Sequence, residues 1–87
     1  MRELKMFILG GCPHCRRADE MIASLLAAHP EYKDVPLVKI DERKEPETAD
    51  KYDYYYVPCF FVGDKKIAEG VPTEENIAKA FDAAYNG

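Results

Sequence analysis

Two cysteines with two residues between them, Cys12-Pro13-His14-Cys15, fall at the seam between two unlike stretches of chain. Before them, Lys5-Met6-Phe7-Ile8-Leu9 is a short apolar run closed by Gly10-Gly11, the pattern of a buried strand. After them, Ala18, Met21, Ile22, Leu25, Leu26 and His29 recur at spacings of three and four, which places them on one face of a helix. Pro13 suits the first helical turn, where its missing N–H would be unpaired in any case. Pro30 ends the helical pattern. A strand therefore runs into a helix at the cysteine pair.

The remaining elements follow with short connections. Pro36 to Asp41 holds Leu37, Val38 and Ile40, a second buried strand. Glu45 to Tyr52 reads as a short helix with Pro46 in its first turn and a weakly apolar face made by Ala49 and Tyr52. Pro58 to Val62 is a third strand. Gly63-Asp64 turns the chain and Lys65 to Glu69 returns as a fourth, making a hairpin. Thr73 is a good N-cap for a last helix, with Glu74 and Glu75 favoured in its positive first turn. Ile77, Ala80, Phe81, Ala84 and Tyr85 form that helix's apolar stripe.

The order β-α-β-α-β-β-α predicts an α/β fold. A mixed sheet of four strands is flanked by three helices on both faces, in a single domain spanning 1–87. The first two strands, joined through a helix, are expected to be parallel with a right-handed crossover.

Charge and length limit the function. A chain of 87 residues holds one compact domain. A net charge of −4, with basic residues adjacent only in short pairs such as Arg16-Arg17 and Lys65-Lys66, argues against a nucleic-acid partner, which needs concentrated positive charge. No segment approaches the roughly 18 apolar residues of a membrane span, and no membrane partner is expected. The first residues lack the pattern of a secretory leader, so the expected location is the cytoplasm, and the expected state a monomer. Three cysteines do not make the disulfide framework of a small secreted domain. In a reducing compartment, a closely spaced pair points to catalysis or to a metal.

The seam favours catalysis. A helix N-terminus offers unpaired backbone N–H groups and the positive end of its dipole, both of which stabilise a thiolate. His14, if protonated, and Arg16 and Arg17 would add to that effect and push the Cys12 thiol below its free value of about 8.5. Cys15 returns toward Cys12 on the next turn and is expected to be the less exposed of the two. In this reading Cys12 attacks a substrate disulfide and Cys15 resolves the mixed disulfide. Pro13 and His14 tune the pair. A closed zinc site needs four ligands. Beyond the pair only Cys59, His14 and His29 remain as soft donors, with His14 between the cysteines and His29 at the far end of the helix. No metal site is expected.

Other residues have plainer readings. Cys59 is expected to act as a small hydrophobe in its strand, although its place after Pro58 also allows an extra thiol near the pair. Tyr54, Tyr55 and Tyr56 should alternate in and out along an extended run, with at least one exposed beside Cys12. Asp41, Glu42 and Glu47 read as a solvated face.

The sequence resembles the thioredoxin superfamily and, within it, the glutaredoxin-like proteins. The resemblance rests on Cys12-Pro13-His14-Cys15 after a first strand, Tyr56-Val57-Pro58 before Phe60-Phe61-Val62, and Gly70 after the fourth strand. It implies a thioredoxin fold, a cis peptide bond at Pro58 facing the cysteine loop, and substrate contact at Tyr56, Val57, Pro58 and Gly70. It also implies protein or small-molecule disulfides as substrates, glutathione or a thioredoxin reductase as electron donor, and no tightly bound cofactor. Departures are visible. Gly11 stands where thioredoxins carry Trp, Met6 where they carry a buried acid, and Tyr56 where glutaredoxins carry Thr. Some glutaredoxin-like proteins instead carry an iron–sulfur cluster or metal on the first cysteine, which makes Cys12 the ligand in an alternative reading.

Overall fold

Alternation along the central strands decides which side chains meet. The computed structural model describes residues 1–87, with β1 at Leu4–Ile8, α1 at Pro13–Ala28, a 3-10 helix at Pro30–Asp34 and β2 at Leu37–Asp41. There follow α2 at Pro46–Ala49, β3 at Cys59–Val62, β4 at Lys65–Glu69 and α3 at Glu74–Asn86. The sheet runs in the order β2-β1-β3-β4. The β1–β2 pair is parallel, from Leu4 opposite Leu37 to Ile8 opposite Asp41, while β1–β3 and β3–β4 are antiparallel. This is the mixed four-stranded sheet that the sequence predicts.

Successive strand residues point to opposite faces, so β1 and β3 each feed two cores. Leu4, Met6, Phe60 and Val62 pack on one face against Ala18 and Ile22 of α1 and Ile77, Ala80, Phe81 and Ala84 of α3. On the other face Phe7, Cys59 and Phe61 meet Ile40 and Ala49. This second core is largely aromatic. The Phe7 ring lies 4.9 Å from those of Tyr52 and Tyr54 and 5.6 Å from that of Phe61. All four residues of β3 are buried, since it, like β1, is covered on both faces.

Local sequence explains the element ends. Thr73 caps α3, its hydroxyl accepting from the N–H of Asn76 at 3.1 Å. Gly63 has φ +60 and Asp64 does not have positive φ, as a two-residue hairpin turn with glycine in its first position requires. Three details differ from the sequence reading. His29 is the exposed C-cap of α1 and not part of its buried stripe. Pro30 does end α1, but it also opens a 3-10 turn, since proline is pre-set for a first helical position. Finally, α2 is one turn long and not the eight residues from Glu45 to Tyr52. Its continuation, Asp50-Lys51, supplies nothing apolar to bury, and a helix that short depends on packing.

Candidate active site

The end of β1 delivers the cysteine pair. After Ile8 the chain turns through Gly10 and Gly11, and Gly11 has φ +83, a conformation that glycine adopts without penalty. Cys12 follows as the N-cap of α1 in extended conformation, with Pro13 at the first helical position. Its N–H donates to the Leu9 carbonyl at 3.1 Å and its own carbonyl accepts from the N–H of Arg16 at 3.3 Å. The three cysteines are free thiols, with Cys12 partly exposed and Cys15 and Cys59 buried.

The helix start splits the pair electrostatically. The backbone N–H of Cys15 holds the Cys12 thiol below its usual value, and the N–H of His14 and the Cys15 thiol assist, against a smaller effect of partial burial. The sign is the one expected from the sequence, but the cause is the helix backbone; the His14 imidazole and the guanidinium groups of Arg16 and Arg17 are not among the contributors. Burial pushes Cys15 the other way, to about 11, with the Cys12 sulfur and the Asp19 carboxylate adding to it. Asp19 lies one turn beyond Cys15, where it pairs with Lys39 of β2 at 2.6 Å.

The segment that enters β3 meets the start of α1 at His14. The Val57–Pro58 peptide bond is cis. The Pro58 carbonyl accepts from the N–H of Gly70 at 3.0 Å, and Gly70 has φ +89. A groove of about 280 Å³ is lined by His14, Tyr56, Val57, Gly70 and Val71. Thus His14, one of the two residues between the cysteines, shares one surface with Tyr56, Val57 and Gly70, residues that are far from it in sequence. Tyr56 and Val71 are exposed, so the groove is both apolar and open.

The tyrosine run does not alternate. Tyr54 turns inward against Phe7, and its hydroxyl is buried with no hydrogen-bond partner. Tyr55 and Tyr56 both face outward, 82% and 70% exposed. A strict extended run would bury Tyr56 with Tyr54. The run is irregular because Glu69 engages its backbone. One carboxylate oxygen, Oε2, accepts from the N–H of Tyr55 and from the N–H of Tyr56 at 3.0 Å, while Oε1 accepts from Lys66 Nζ at 2.7 Å. Lys66 hydrogen bonding, then the two amides, holds the Glu69 carboxyl down at about 2. Sequence reasoning missed Glu69, whose only signal was its place directly before Gly70.

Cys59 belongs to the aromatic core, with no exposed surface. Burial, assisted by the Glu69 charge, pushes its thiol up to about 12. The three thiols therefore differ in reach and in ionisation, and their reactivity should separate cleanly. Because the thiolate is the nucleophile, a lowered Cys12 value means that its alkylation rate rises with pH and levels off earlier than that of a free thiol. We expect iodoacetamide to modify one thiol of the folded, reduced protein, at Cys12, with a half-maximal rate at a lower pH than that of a free cysteine treated alongside. Peptide mapping identifies the residue. Comparable labelling of Cys59, or a midpoint at or above the free value, would contradict this assignment.

Comparison with known proteins comes to the same fold. A family model described as a thioredoxin domain matches residues 2–82. No curated protein matches the chain. Among solved structures, a malarial protein superposes with a TM-score of 0.65 at 15% identity, covering 93% of each chain. The reduced form of the periplasmic thioredoxin SoxS from Paracoccus pantotrophus gives a TM-score of 0.61 at 22% identity, covering 99% of this chain and 97% of that one. At these identities the likeness concerns the fold.

Proposed function

This chain belongs to the thioredoxin family, and on that premise we propose that it is a thiol–disulfide oxidoreductase working through Cys12 and Cys15. The observation that carries the reading is the contrast within the pair: a partly exposed thiol with a lowered pKa beside a buried thiol held at about 11. The more exposed and more readily ionised thiol suits the first attack, and its sheltered neighbour suits the later, resolving one.

The reaction runs in two exchanges. The Cys12 thiolate attacks one sulfur of a substrate disulfide, a mixed disulfide forms, and the second substrate sulfur leaves as a thiolate. Cys15 then loses its proton and attacks the Cys12 sulfur, which expels the first substrate sulfur. The substrate gains two electrons, and the protein is left with a Cys12–Cys15 disulfide. Part of what keeps Cys15 protonated is the Cys12 sulfur itself. Once Cys12 is tied up in a mixed disulfide its charge is gone, and ionisation of Cys15 becomes easier at the step that requires it.

Tyr56, Val57, Pro58 and Gly70 are proposed to seat the substrate chain, beside His14 in the same groove. Pro13 fixes the helix start, and His14 forms part of the groove wall. Glutathione or a thioredoxin reductase, in a reducing cytoplasm, would return the protein to its dithiol. A lowered Cys12 pKa stabilises the reduced form and so raises the reduction potential.

Equilibration in thiol–disulfide buffers tests this. We expect one two-electron transition, with a tenfold change in the reduced-to-oxidised ratio for every ~30 mV, and a Cys12–Cys15 disulfide in the oxidised protein. A potential near about −270 mV would favour a reductase and one near about −120 mV an oxidant. A visible absorbance band after anaerobic purification, without that disulfide, would instead favour a cluster carried on Cys12.

A further inference from the structure

The groove wall that Tyr56 and Val57 form beside His14 has an unusual support. Residues 53–57 lie outside every helix and strand, and no backbone–backbone hydrogen bond reaches them. The side chains of Tyr55 and Tyr56 are exposed, so apolar burial does not hold them either. The segment is anchored at one end by Tyr54 stacked on Phe7 and at the other by Val57 and Pro58. Its middle is held by β4. Glu69 accepts from the amides of Tyr55 and Tyr56, and Lys66 donates both to Glu69 and, at 3.4 Å, to the Asp53 carbonyl.

Resting on the disulfide-exchange reading above, we propose that Glu69 is a positioning residue for substrate docking, its carboxylate fixing the Tyr55–Tyr56 backbone and so the Tyr56–Val57 wall of the groove. Three features favour this over a purely structural role. Glu69 and Gly70 act on the same segment from adjacent positions: the carboxylate takes the Tyr55 and Tyr56 amides, and the Gly70 N–H takes the Pro58 carbonyl at 3.0 Å. A side-chain carbon at Gly70 would come within 3.8 Å of Tyr56 Cβ, so the strand end and the tyrosine are already in close register. And the carboxyl stays ionised down to about pH 2, which keeps an acceptor of full charge on the two amides throughout the working range. Glu69 is not among the groups that act on the Cys12 or Cys15 sulfur. It acts through Tyr56 and Val57.

The test uses the full chain reducing insulin, with dithiothreitol as donor. Glu69→Ala should raise KM by roughly tenfold, the order of one charge-assisted hydrogen bond, with a much smaller effect on kcat. The alkylation rate of Cys12 should stay within about twofold of the parent, because the helix start is untouched. Glu69→Gln keeps an oxygen for the two amides but places an amide nitrogen against Lys66, so its KM should lie between those of Glu69→Ala and the parent. Tyr56→Ala should raise KM too, and the double variant Glu69→Ala/Tyr56→Ala should show less than the product of the two single effects, since both act on one wall.

The outcomes separate. A parent that cannot reduce insulin overturns the disulfide-exchange reading and the Glu69 assignment with it. An active parent whose Glu69→Ala and Glu69→Gln variants keep KM within about twofold overturns only the Glu69 assignment. So do single effects that multiply in the double variant, or a Cys12 alkylation rate that falls in step with activity.

Discussion

Cys12→Ser is expected to lower the rate of insulin reduction by at least about a thousandfold, to the rate of dithiothreitol alone. A serine hydroxyl is not ionised near neutral pH, and it cannot form the mixed disulfide through which exchange proceeds. The helix start that favours a thiolate at Cys12 gives an alcohol no comparable help. The fold should tolerate the change, because Cys12 is partly exposed and its side chain caps nothing. The complementary variant, Cys15→Ser, should fail differently: the first exchange still occurs, and the mixed disulfide accumulates as a mass increase equal to the substrate thiol less two hydrogens. Activity of Cys12→Ser within tenfold of the parent would mean that the nucleophile lies elsewhere.

The second large effect concerns the aromatic core. Phe7→Ala should cost about 3–5 kcal/mol in urea unfolding, the range for a large aromatic removed from a close-packed site. Set against a total of about 5–15 kcal/mol for a domain, that is enough to leave part of the population unfolded at body temperature. Phe7 has no exposed surface, and its ring touches three others that come from α2's exit, from the tyrosine segment and from β3. No neighbour is placed to fill the space without leaving its own partners. Phe7→Leu should cost clearly less, because most of the volume stays. A loss under about 1 kcal/mol for Phe7→Ala would show that this face of the sheet closes over the gap with ease.

The order of elements was readable because each has a period. Apolar residues at three and four mark α1 and α3, and the strands at Leu4–Ile8 and Leu37–Asp41 are nearly continuous apolar runs. The cysteine pair was readable from its position at a seam. What the sequence concealed were contacts without a period. The carboxylate of Glu69 meets backbone amides of Tyr55 and Tyr56 across the sheet edge, and backbone amides leave no trace in a string of residue types. That single contact explains why Tyr56 faces outward, against the alternation its neighbours suggested. The same limit applies to Cys12. The charged side chains nearby were visible and drew the inference, while the amides of Cys15 and His14 that act on it are features every helix start has.

Burial of Cys59 in the aromatic core has a consequence for what oxidation can make. The chain carries three cysteines, an odd number. Were all three reactive, any fully oxidised molecule would keep one sulfur over, free to scramble the Cys12–Cys15 bridge or to couple two molecules together. With no surface and a thiol held protonated up to about pH 12, Cys59 drops out of the reckoning, and the count of competent sulfurs becomes even. Oxidation then has one intramolecular product, and the stepwise exchange can run forward and back many times without branching into cross-linked species.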